Sequence, residues 1–238
     1  MSNAYYQPGS ERGSKVNHLF ASIAPRYDRI NDLQSFGMHH RWKDRLVALA
    51  LLRSGDRALD VCCGTGDITE RLAATGATAT GLDFTVEMLD VARARALKSH
   101  CSPGPTYLDG DALKLPFADA TFDAVTVGFG LRNLAEWQTG LREMHRVAKP
   151  GGRLLVLDFG RPDNAVWRAL YFAYLRLIVP VYGKLYCGNW SAYAYIIESL
   201  KAYPAQRGVE RAMHELKCRD VQVINFFGGA MSINFGIK

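Results

Sequence analysis

Residues 59–67, LDVCCGTGD, constrain the fold of this chain more than any other stretch. The apolar run of residues 57–62 has the composition of a buried strand, and residues 67–72 have the spacing of an amphipathic helix. Between them stands Gly64-Thr65-Gly66, a turn whose glycines let a ligand approach the backbone closely. The first turn of the helix adds free N–H donors. The stretch therefore predicts an α/β fold with a ligand-binding loop, although turns of this kind also occur without a ligand.

A carboxylate follows the next predicted strand. Asp83 ends the second apolar run, about 20 residues after the glycine turn, where a carboxylate accepts hydrogen bonds from a ribose diol. Dinucleotides and S-adenosylmethionine both carry such a diol. A dinucleotide loop needs a third glycine, which does not follow Gly66, and the charge of Asp67 is unfavourable beside a pyrophosphate. The loop therefore favours S-adenosylmethionine, a sulfonium cation.

Composition limits the class of protein. With 238 residues, 48% of them hydrophobic and 22% charged, the chain suits one α/β domain with additions. The net charge of +6 permits an anionic partner such as a lipid surface. The basic residues are dispersed, so no nucleic-acid partner is expected. Because the N-terminus lacks an apolar signal core and residues 165–182 are interrupted by charges and proline, we expect a cytoplasmic protein without a membrane span.

The five cysteines form no Cys-x-x-Cys pair and no cluster with the six histidines. We therefore expect reduced thiols and no metal site. Cys62 and Cys63 are expected to be small packing residues of the first strand.

The chain divides into one domain with additions. We expect a flexible arm (1–13), a helical cap (14–55), a binding core (56–158), a helical lid (159–218) and a terminal hairpin (219–238). The cap pattern predicts two helices, the second ending near Ser54 and Gly55, and the core contains a predicted turn at residues 149–152. Strands alternate with helices in the core, which predicts a mostly parallel sheet. The predicted strands are residues 57–62, 77–83, 105–108, 122–128, 153–158, 221–227 and 231–237. The predicted helices after the cap are residues 67–75, 85–98, 135–147, 163–186, 190–202 and 206–217.

A series of motifs resembles class I S-adenosylmethionine-dependent methyltransferases. In chain order they are the glycine loop, Asp83, Gly110-Asp111-Ala112, residues 122–125 and residues 147–152. This resemblance implies a Rossmann-like, mostly parallel seven-stranded sheet that ends in an antiparallel hairpin.

Two further blocks resemble one family within that class. Residues 20–31 (FASIAPRYDRIN) lead into residues 35–43 (SFGMHHRWK), and residues 128–133 (GFGLRN) follow the fourth strand. Both are similar to signatures of the ubiquinone/menaquinone biosynthesis C-methyltransferases, over nearly the whole chain from residue 16. The resemblance implies methylation of a ring carbon of a prenylated quinol.

The choice of ring depends on the glycine loop. Most of the family has Ala-Gly-Gly-Thr-Gly there, whereas this chain has Cys62-Cys63 at the first two positions. That variant is similar to the plant and cyanobacterial branch that acts on demethylphylloquinol. It favours a naphthoquinol of menaquinone or phylloquinone biosynthesis, with a benzoquinol of the ubiquinone pathway as the alternative.

The family also implies which residues hold the methyl donor. The implied contacts are Gly64, Thr65, Gly66, Asp83, Asp111, Ala112 and Gly128. Some of these have structural alternatives: Asp83 and Thr65 could cap the helices that follow them, and Asp111 could form a turn beside Gly110.

Arg132 and Asn133 are the residues we expect to carry the chemistry. Methyl transfer to a ring carbon requires removal of a phenolic proton from the quinol. Arg132 is a poor proton acceptor, so we assign it to stabilising the phenolate through an ordered water that takes the proton, with Asn133 orienting the ring oxygen. The alternative is a structural arginine at the end of the fourth strand. Asp28, Tyr27 or His39 is the candidate base or proton relay, although a histidine in a cap-helix turn can equally be structural.

The aromatic segment from Trp167 to Tyr186 either packs in the core or contacts a prenyl tail and the inner face of the membrane. A homodimer or a quinone-biosynthesis complex is a further expected contact. Rival functions are a methyltransferase of this fold with another acceptor and a non-catalytic donor-binding scaffold. A nicotinamide-dependent reductase is disfavoured by the missing third glycine.

Overall fold

The computed structural model describes residues 12–99, 101–177, 197–200 and 202–238. The strands are β1 (Arg57–Val61), β2 (Thr78–Asp83), β3 (Thr106–Asp109), β4 (Phe122–Gly128), β5 (Ala148–Phe159), β6 (Arg219–Phe226) and β7 (Met231–Ile237). The helices with full bounds are α1 (Arg12–Ile23), α2 (Tyr27–Ser35), α3 (Met38–Ala50), α4 (Asp67–Ala73), α5 (Val86–Ala96), α6 (Trp137–Val147), α7 (Ala165–Leu177) and α8 (Ala205–Glu215).

All seven strands form one sheet in the order β3-β2-β1-β4-β5-β7-β6. Strands β1 to β5 are parallel, and β7 runs antiparallel to both β5 and β6. The predicted fold, a mostly parallel sheet with a terminal antiparallel hairpin, is confirmed. The chain order reverses between β1 and β4, and ligands of such sheets bind at that point, beyond the carboxyl ends of the strands.

The central strands β1 and β4 are buried on both faces, which explains their continuous apolar runs, whereas the edge strands β3 and β6 are largely exposed. Leu59 and Val125 point to the face covered by α6 and α8, and their neighbours Ala58 and Ala124 point to the face covered by α3 and α4. This alternation is the two-residue period of extended chain. The packed core holds the carboxyl ends of the strands in fixed positions.

The cap contains three helices where the sequence pattern indicated two. A short 3-10 turn over Ala24–Arg26 separates α1 from α2 at Pro25, as expected from the ring of proline. Phe36 and Gly37, with φ of 50° and 71°, then separate α2 from α3. The third helix ends at Ala50, before the predicted end near Ser54 and Gly55, because Leu51 adopts a left-handed conformation.

Strand β5 is longer than predicted. The turn expected at residues 149–152 lies within the bounds of the strand, where Gly151 keeps a φ of 81° and the register against β4 shifts. Gly151 N–H donates to Lys238 O at 2.7 Å, and Lys238 N–H donates to Gly152 O at 2.9 Å. The last residue of the chain thus pairs with a segment that reads locally as a turn. Strand β6 begins earlier than predicted and ends at Phe226, because Phe227 adopts a left-handed φ of 48°. Strands β4 and β7 have their predicted bounds.

Part of the predicted lid lies outside the described residues. Of the predicted helix over residues 163–186, the structure describes α7, and of the helix over residues 190–202 it describes a helical segment at residues 197–200. Tyr186, Cys187 and most of the predicted arm also lie outside the described residues. The described part of the chain contains no helix long and apolar enough to cross a membrane. Its four cysteines are free thiols.

Candidate active site

Two adjacent cavities open beyond the carboxyl ends of the strands. The first, here called the loop cavity, has a volume of about 620 Å³ and lies among the loops that follow β1, β2, β3 and β4. The second, the apolar cavity, has a volume of about 450 Å³ and lies between the cap helices, α7 and the ends of β5 and β7. Phe20, Tyr27 and Phe129 line both cavities, so the two spaces meet at these side chains.

The glycine turn forms one wall of the loop cavity. Gly64 has a φ of +54°, and a Cβ atom at Gly64 would meet nothing within 4 Å, so the turn leaves open space beside its backbone. Gly66 has a φ of +81°, and a Cβ atom there would lie 2.4 Å from the Tyr107 hydroxyl oxygen. Packing against Tyr107 thus requires glycine at position 66. The positive φ and the open space beside the backbone explain the glycine at position 64.

Asp83 connects the glycine turn to α5. Its Oδ2 accepts from Gly64 N–H at 2.8 Å, and its Oδ1 accepts from Thr85 N–H at 2.9 Å. Burial raises the pKa of this carboxyl, while the hydrogen bonds from Thr85 and Gly64 oppose that rise. Each carboxylate oxygen can accept a second bond, so Asp83 retains acceptor capacity on the loop cavity that it lines.

Asp111 and Ala112 close another side of the loop cavity. Asp111 is exposed, and its Oδ1 accepts from Leu113 N–H at 2.8 Å, which forms a local turn. Ala112 is buried beside it and adds little bulk to the cavity wall. Asp111 therefore forms the predicted turn and also lines the loop cavity.

Arg132 is the main cation of the apolar cavity. It follows β4 in a 3-10 turn, and its Nη1 donates to Asp158 Oδ1 at 2.7 Å and to Phe129 O at 2.6 Å. The guanidinium also stacks on the ring of Phe159, with 4.7 Å between Cζ and the ring centroid. Because Arg132 and Asp158 are both buried, this ion pair fixes the guanidinium at the wall of the cavity.

Tyr27 stands where the cavities meet. Burial raises the pKa of its phenol, and a hydrogen bond with Asn31 opposes that rise. Asp28, the next residue, lines neither cavity. Its Oδ1 accepts from the Thr65 hydroxyl at 2.8 Å, and it forms an ion pair with Arg95. Asp28 therefore joins the cap to the glycine turn and to α5.

The sequence profile of the ubiE/COQ5 methyltransferase family matches residues 9–238. The chain belongs to this family. The predictions of the family and of an S-adenosylmethionine-dependent methyltransferase are thereby confirmed.

Curated relatives of this methyltransferase match it over nearly its whole length. The ubiquinone/menaquinone biosynthesis C-methyltransferase UbiE of Pseudomonas paraeruginosa is 39% identical over 234 residues, covering 97% of this chain and 91% of that protein. A demethylmenaquinone methyltransferase of Bacillus licheniformis is 39% identical over 227 residues, covering 94% of this chain and 97% of that protein.

Solved structures share the fold of the methyltransferase. An S-adenosylmethionine-dependent methyltransferase of Thermotoga maritima has a TM-score of 0.65 at 18% identity, covering 93% of this chain and 98% of that one. The [4+2]-cyclase SpnF has a TM-score of 0.66 at 17% identity, covering 100% of this chain and 99% of that one. Since one of these neighbours is named a cyclase, the reaction must be argued from the site and not from the fold.

The structure places most, but not all, of the site residues predicted from the sequence of this methyltransferase on one of the two cavities. Of the predicted residues, those that line the loop cavity are Tyr27, Gly64, Asp83, Asp111, Ala112, Gly128 and Asn133. Thr65 and Gly66 line neither cavity. Thr65 instead donates to Asp28, so its hydroxyl does not cap α4 as its structural alternative required.

Gly128 and the two cysteines have structural reasons for their positions. A Cβ atom at Gly128 would lie 2.3 Å from Ile68 Cδ1, so the absence of a side chain there is explained by packing against α4. Cys62 is half-buried on the loop cavity with a left-handed φ of 56°. Burial raises the pKa of both the Cys62 and Cys63 thiols, so neither is a reactive thiolate at neutral pH.

Sequence reasoning missed Asp158 and Phe129. Asp158 lies at the carboxyl end of β5, as Asp83 does in β2, and this shared position at a strand end was the available signal. Phe129 lines both cavities, and its carbonyl accepts from Arg132 and from Asn133. Its role had no signal in the sequence, because an aromatic residue after a strand is ordinarily part of the core.

Proposed function

We propose that this methyltransferase transfers a methyl group from S-adenosylmethionine to a ring carbon of a prenylated naphthoquinol. The observation that carries the proposal is the pairing of the two cavities. The loop cavity, which the Asp83 carboxylate lines, meets the aromatic-lined apolar cavity at Phe20, Tyr27 and Phe129. The loop cavity fits the donor, and the apolar cavity fits a flat ring with an apolar tail.

The residues of the loop cavity fit S-adenosylmethionine. Asp83 retains acceptor capacity for the ribose hydroxyls, and Asp111 has a free carboxylate oxygen for an adenine amino group. The open space beside Gly64 admits the ligand close to the backbone. The donor supplies an electrophilic methyl group on a sulfonium, which makes a good leaving group. The protein must therefore activate the acceptor and position it.

Arg132 stabilises the phenolate form of the acceptor in this proposal. Its guanidinium is fixed by Asp158 and Phe159 at the wall of the apolar cavity, so it needs no reorganisation when negative charge develops. Asn133 lines the loop cavity and donates from Nδ2 to Phe129 O at 3.2 Å. We therefore assign Asn133 to positioning the turn that carries Phe129, in place of orienting the ring oxygen. Asp28 has a positioning role between cap and loop.

The ring type is tested by methyl transfer from labelled S-adenosylmethionine to two reduced acceptors with short prenyl tails. One acceptor is a demethylnaphthoquinol and the other a benzoquinol. We expect product from the naphthoquinol, because the Cys62-Cys63 variant is similar to the demethylphylloquinol branch. Curated relatives named demethylmenaquinone methyltransferase support the same ring. Product from the benzoquinol alone would overturn the choice of ring, and donor binding without either product would overturn the acceptor class.

We further propose that the mouth of the apolar cavity rests on a lipid surface. Phe36, Trp167, Leu170 and Phe227 line the cavity and are nevertheless exposed, so they form an apolar rim around it. Exposed Val166 and Leu177 extend the same apolar surface along α7. A prenylated acceptor resides in a bilayer, and the net charge of +6 favours anionic lipid. A rim in contact with lipid gives the tail an apolar path into the cavity.

Sedimentation with anionic vesicles tests this contact. The variant Leu170→Asn should lower the vesicle partition coefficient about tenfold, because burying one leucine in lipid contributes roughly 1.5–3 kcal/mol. The matched control is Leu97→Asn, which replaces a leucine that is 89% exposed but lies outside the cavity. Equal partitioning of the two variants would contradict the proposed surface.

A further inference from the structure

Two neighbouring histidines of α3 share one carboxylate. Nε2 of His39 and Nε2 of His40 each lie 2.8 Å from Oδ1 of Asp32 in α2. The hydrogen bond from His39, more than the one from His40, holds the pKa of Asp32 below its usual value. Asp32 is therefore ionised at neutral pH and can only accept, so Nε2 of each ring carries the proton. In a neutral imidazole this leaves Nδ1 as the basic nitrogen.

The two Nδ1 atoms have different surroundings. His40 is exposed and lines neither cavity, and its Nδ1 accepts from Arg71 Nη2 at 3.0 Å. His39 is 2% exposed and lines the apolar cavity. Its Nδ1 is buried and has no hydrogen-bond partner among the described residues. Of these two histidines, His39 is therefore the one that lines the apolar cavity and whose Nδ1 lacks a partner among the described residues.

Two more unsatisfied polar atoms belong to residues of the same cavity. Nε1 of Trp42 and Nε2 of Gln34 are buried, and the described part of the chain provides no partner for either. Both are N–H donors. Buried polar groups in native proteins are almost always hydrogen-bonded. Three unpaired polar atoms on residues of one cavity therefore indicate a ligand group that forms hydrogen bonds with them. Two donors and one acceptor match a hydroxyl, which has two lone pairs and one O–H.

We propose that His39, Gln34 and Trp42 form the subsite for the reacting hydroxyl of the acceptor, where His39 takes the hydroxyl proton. This inference rests on the proposed function. It supplies a proton acceptor, a role that the permanently charged Arg132 cannot fill. Gln34 and Trp42 donate hydrogen bonds to the oxygen and stabilise the phenolate that remains. Asp32 is a positioning residue, since it holds the ring and its tautomer.

The proton and electrons balance in this scheme. The hydroxyl O–H bond breaks, and its proton forms the Nδ1–H bond of His39. The electron pair of the phenolate, shared with the adjacent ring carbon, forms the new C–CH3 bond as the S–CH3 bond breaks and leaves its electrons on sulfur. That carbon then loses its hydrogen as a proton while the oxygen regains one, so one proton is released overall. Half-exposed Asp32, bonded to Nε2–H of His39, provides the outlet to solvent.

The charges around His39 keep it a base. Burial, more than the nearby charge of Lys43, holds the pKa of His39 below its ordinary value of 6.5, and the hydrogen bond with Asp32 opposes this. His40 also lowers that pKa. The other ionisable side chains that line the cavity are Arg132, Tyr27, Tyr171 and Tyr174. His39 is therefore neutral at pH 7. As pH falls through its pKa the ring takes a proton from solvent, so activity falls on the acid side.

The variant His39→Gln tests the proposal, because glutamine keeps an N–H donor for Asp32 and removes the base. We expect kcat at neutral pH to fall about a hundredfold and the acid limb of the pH profile to disappear. Calorimetry should show unchanged affinity for S-adenosylmethionine. The matched control His40→Gln, which alters the other histidine on Asp32, should keep kcat within about threefold of the wild type.

Two further variants separate the roles of the subsite from folding. Trp42→Phe keeps the ring and removes the N–H, and should lower kcat about tenfold. Asp32→Asn should move the acid limb to lower pH, because the carboxylate raises the pKa of His39. Wild-type kcat or an unchanged acid limb in His39→Gln would overturn the assignment of the base. Wild-type protein that binds donor but methylates no quinol would overturn the proposed function itself, which is a distinguishable result.

Discussion

Replacing Asp83 with alanine is expected to weaken the binding of S-adenosylmethionine at least about a hundredfold, since two charge-assisted hydrogen bonds contribute about 1.5–3 kcal/mol each. Asp83 lines the loop cavity and keeps a lone pair free on each carboxylate oxygen. The substitution also leaves the N–H groups of Gly64 and Thr85 without their acceptor. The glycine turn is then held less firmly, which adds to the loss of affinity.

Isothermal calorimetry measures this effect, with Asp109→Ala as the matched control. Asp109 is the register partner of Asp83 in the neighbouring strand and ends that strand in the same way, but it is exposed and does not line the loop cavity. We expect the control to bind the donor like the wild type. Asp83→Asn should be intermediate, because an amide still accepts but carries no charge. Wild-type affinity in Asp83→Ala would exclude Asp83 as the ribose ligand.

Breaking the buried ion pair of Arg132 and Asp158 is expected to lower both stability and turnover. Each single variant, Arg132→Met or Asp158→Asn, leaves an uncompensated buried charge and should reduce the free energy of unfolding by about 3–5 kcal/mol. The double variant removes both charges and should recover most of that stability. It should not recover activity: kcat should remain at least about a hundredfold below wild type, because a fixed cation beside the phenolate is lost.

Urea unfolding and methyl-transfer rates on the same samples separate the two effects. The exposed pair of Arg207 and Asp163, 2.9 Å apart, serves as the control, and Asp163→Asn should cost less than about 1 kcal/mol. A double variant that regains both stability and kcat would show that Arg132 is structural only. A double variant that stays unstable would show that the guanidinium packing on Phe159 matters more than the charge pair.

The short-range patterns of the chain were sufficient for the fold. Apolar runs of strand length alternate with amphipathic helices from β1 to β5, and this alternation alone requires a parallel sheet with its binding edge at the carboxyl ends. The position of the glycine turn followed for the same reason, because a turn between a strand and a helix depends on consecutive residues. Asp83 and Asp111 could be placed on the loop cavity from their positions after strands.

Errors arose where a segment depends on a distant partner. Residues 149–152 have the composition of a turn and lie within β5 as an irregular segment: Gly151 keeps a φ of 81°, the register between β4 and β5 shifts there, and Lys238 forms two hydrogen bonds with the segment. The cap divides at Phe36 and Gly37, where two left-handed residues let α3 pack against β5 and α4. Gly37 and Gly151 are local signals for a break, but the remote contacts that complete each feature have none, since hydrogen bonds between remote segments outweigh intrinsic propensity.

The sequence by itself determined the α/β sheet, the glycine turn and the acidic residues of the loop cavity, because each depends on residues that are neighbours in the chain. Only the tertiary structure decided which residues line the apolar cavity. Arg132 follows β4, while His39 belongs to a cap helix more remote in the chain, and both line one cavity. That convergence depends on how the cap packs over the sheet. The same packing brings Asp28 into contact with Thr65 and Arg95, away from both cavities. These contacts join segments that are remote in the chain, so no local sequence pattern encodes them.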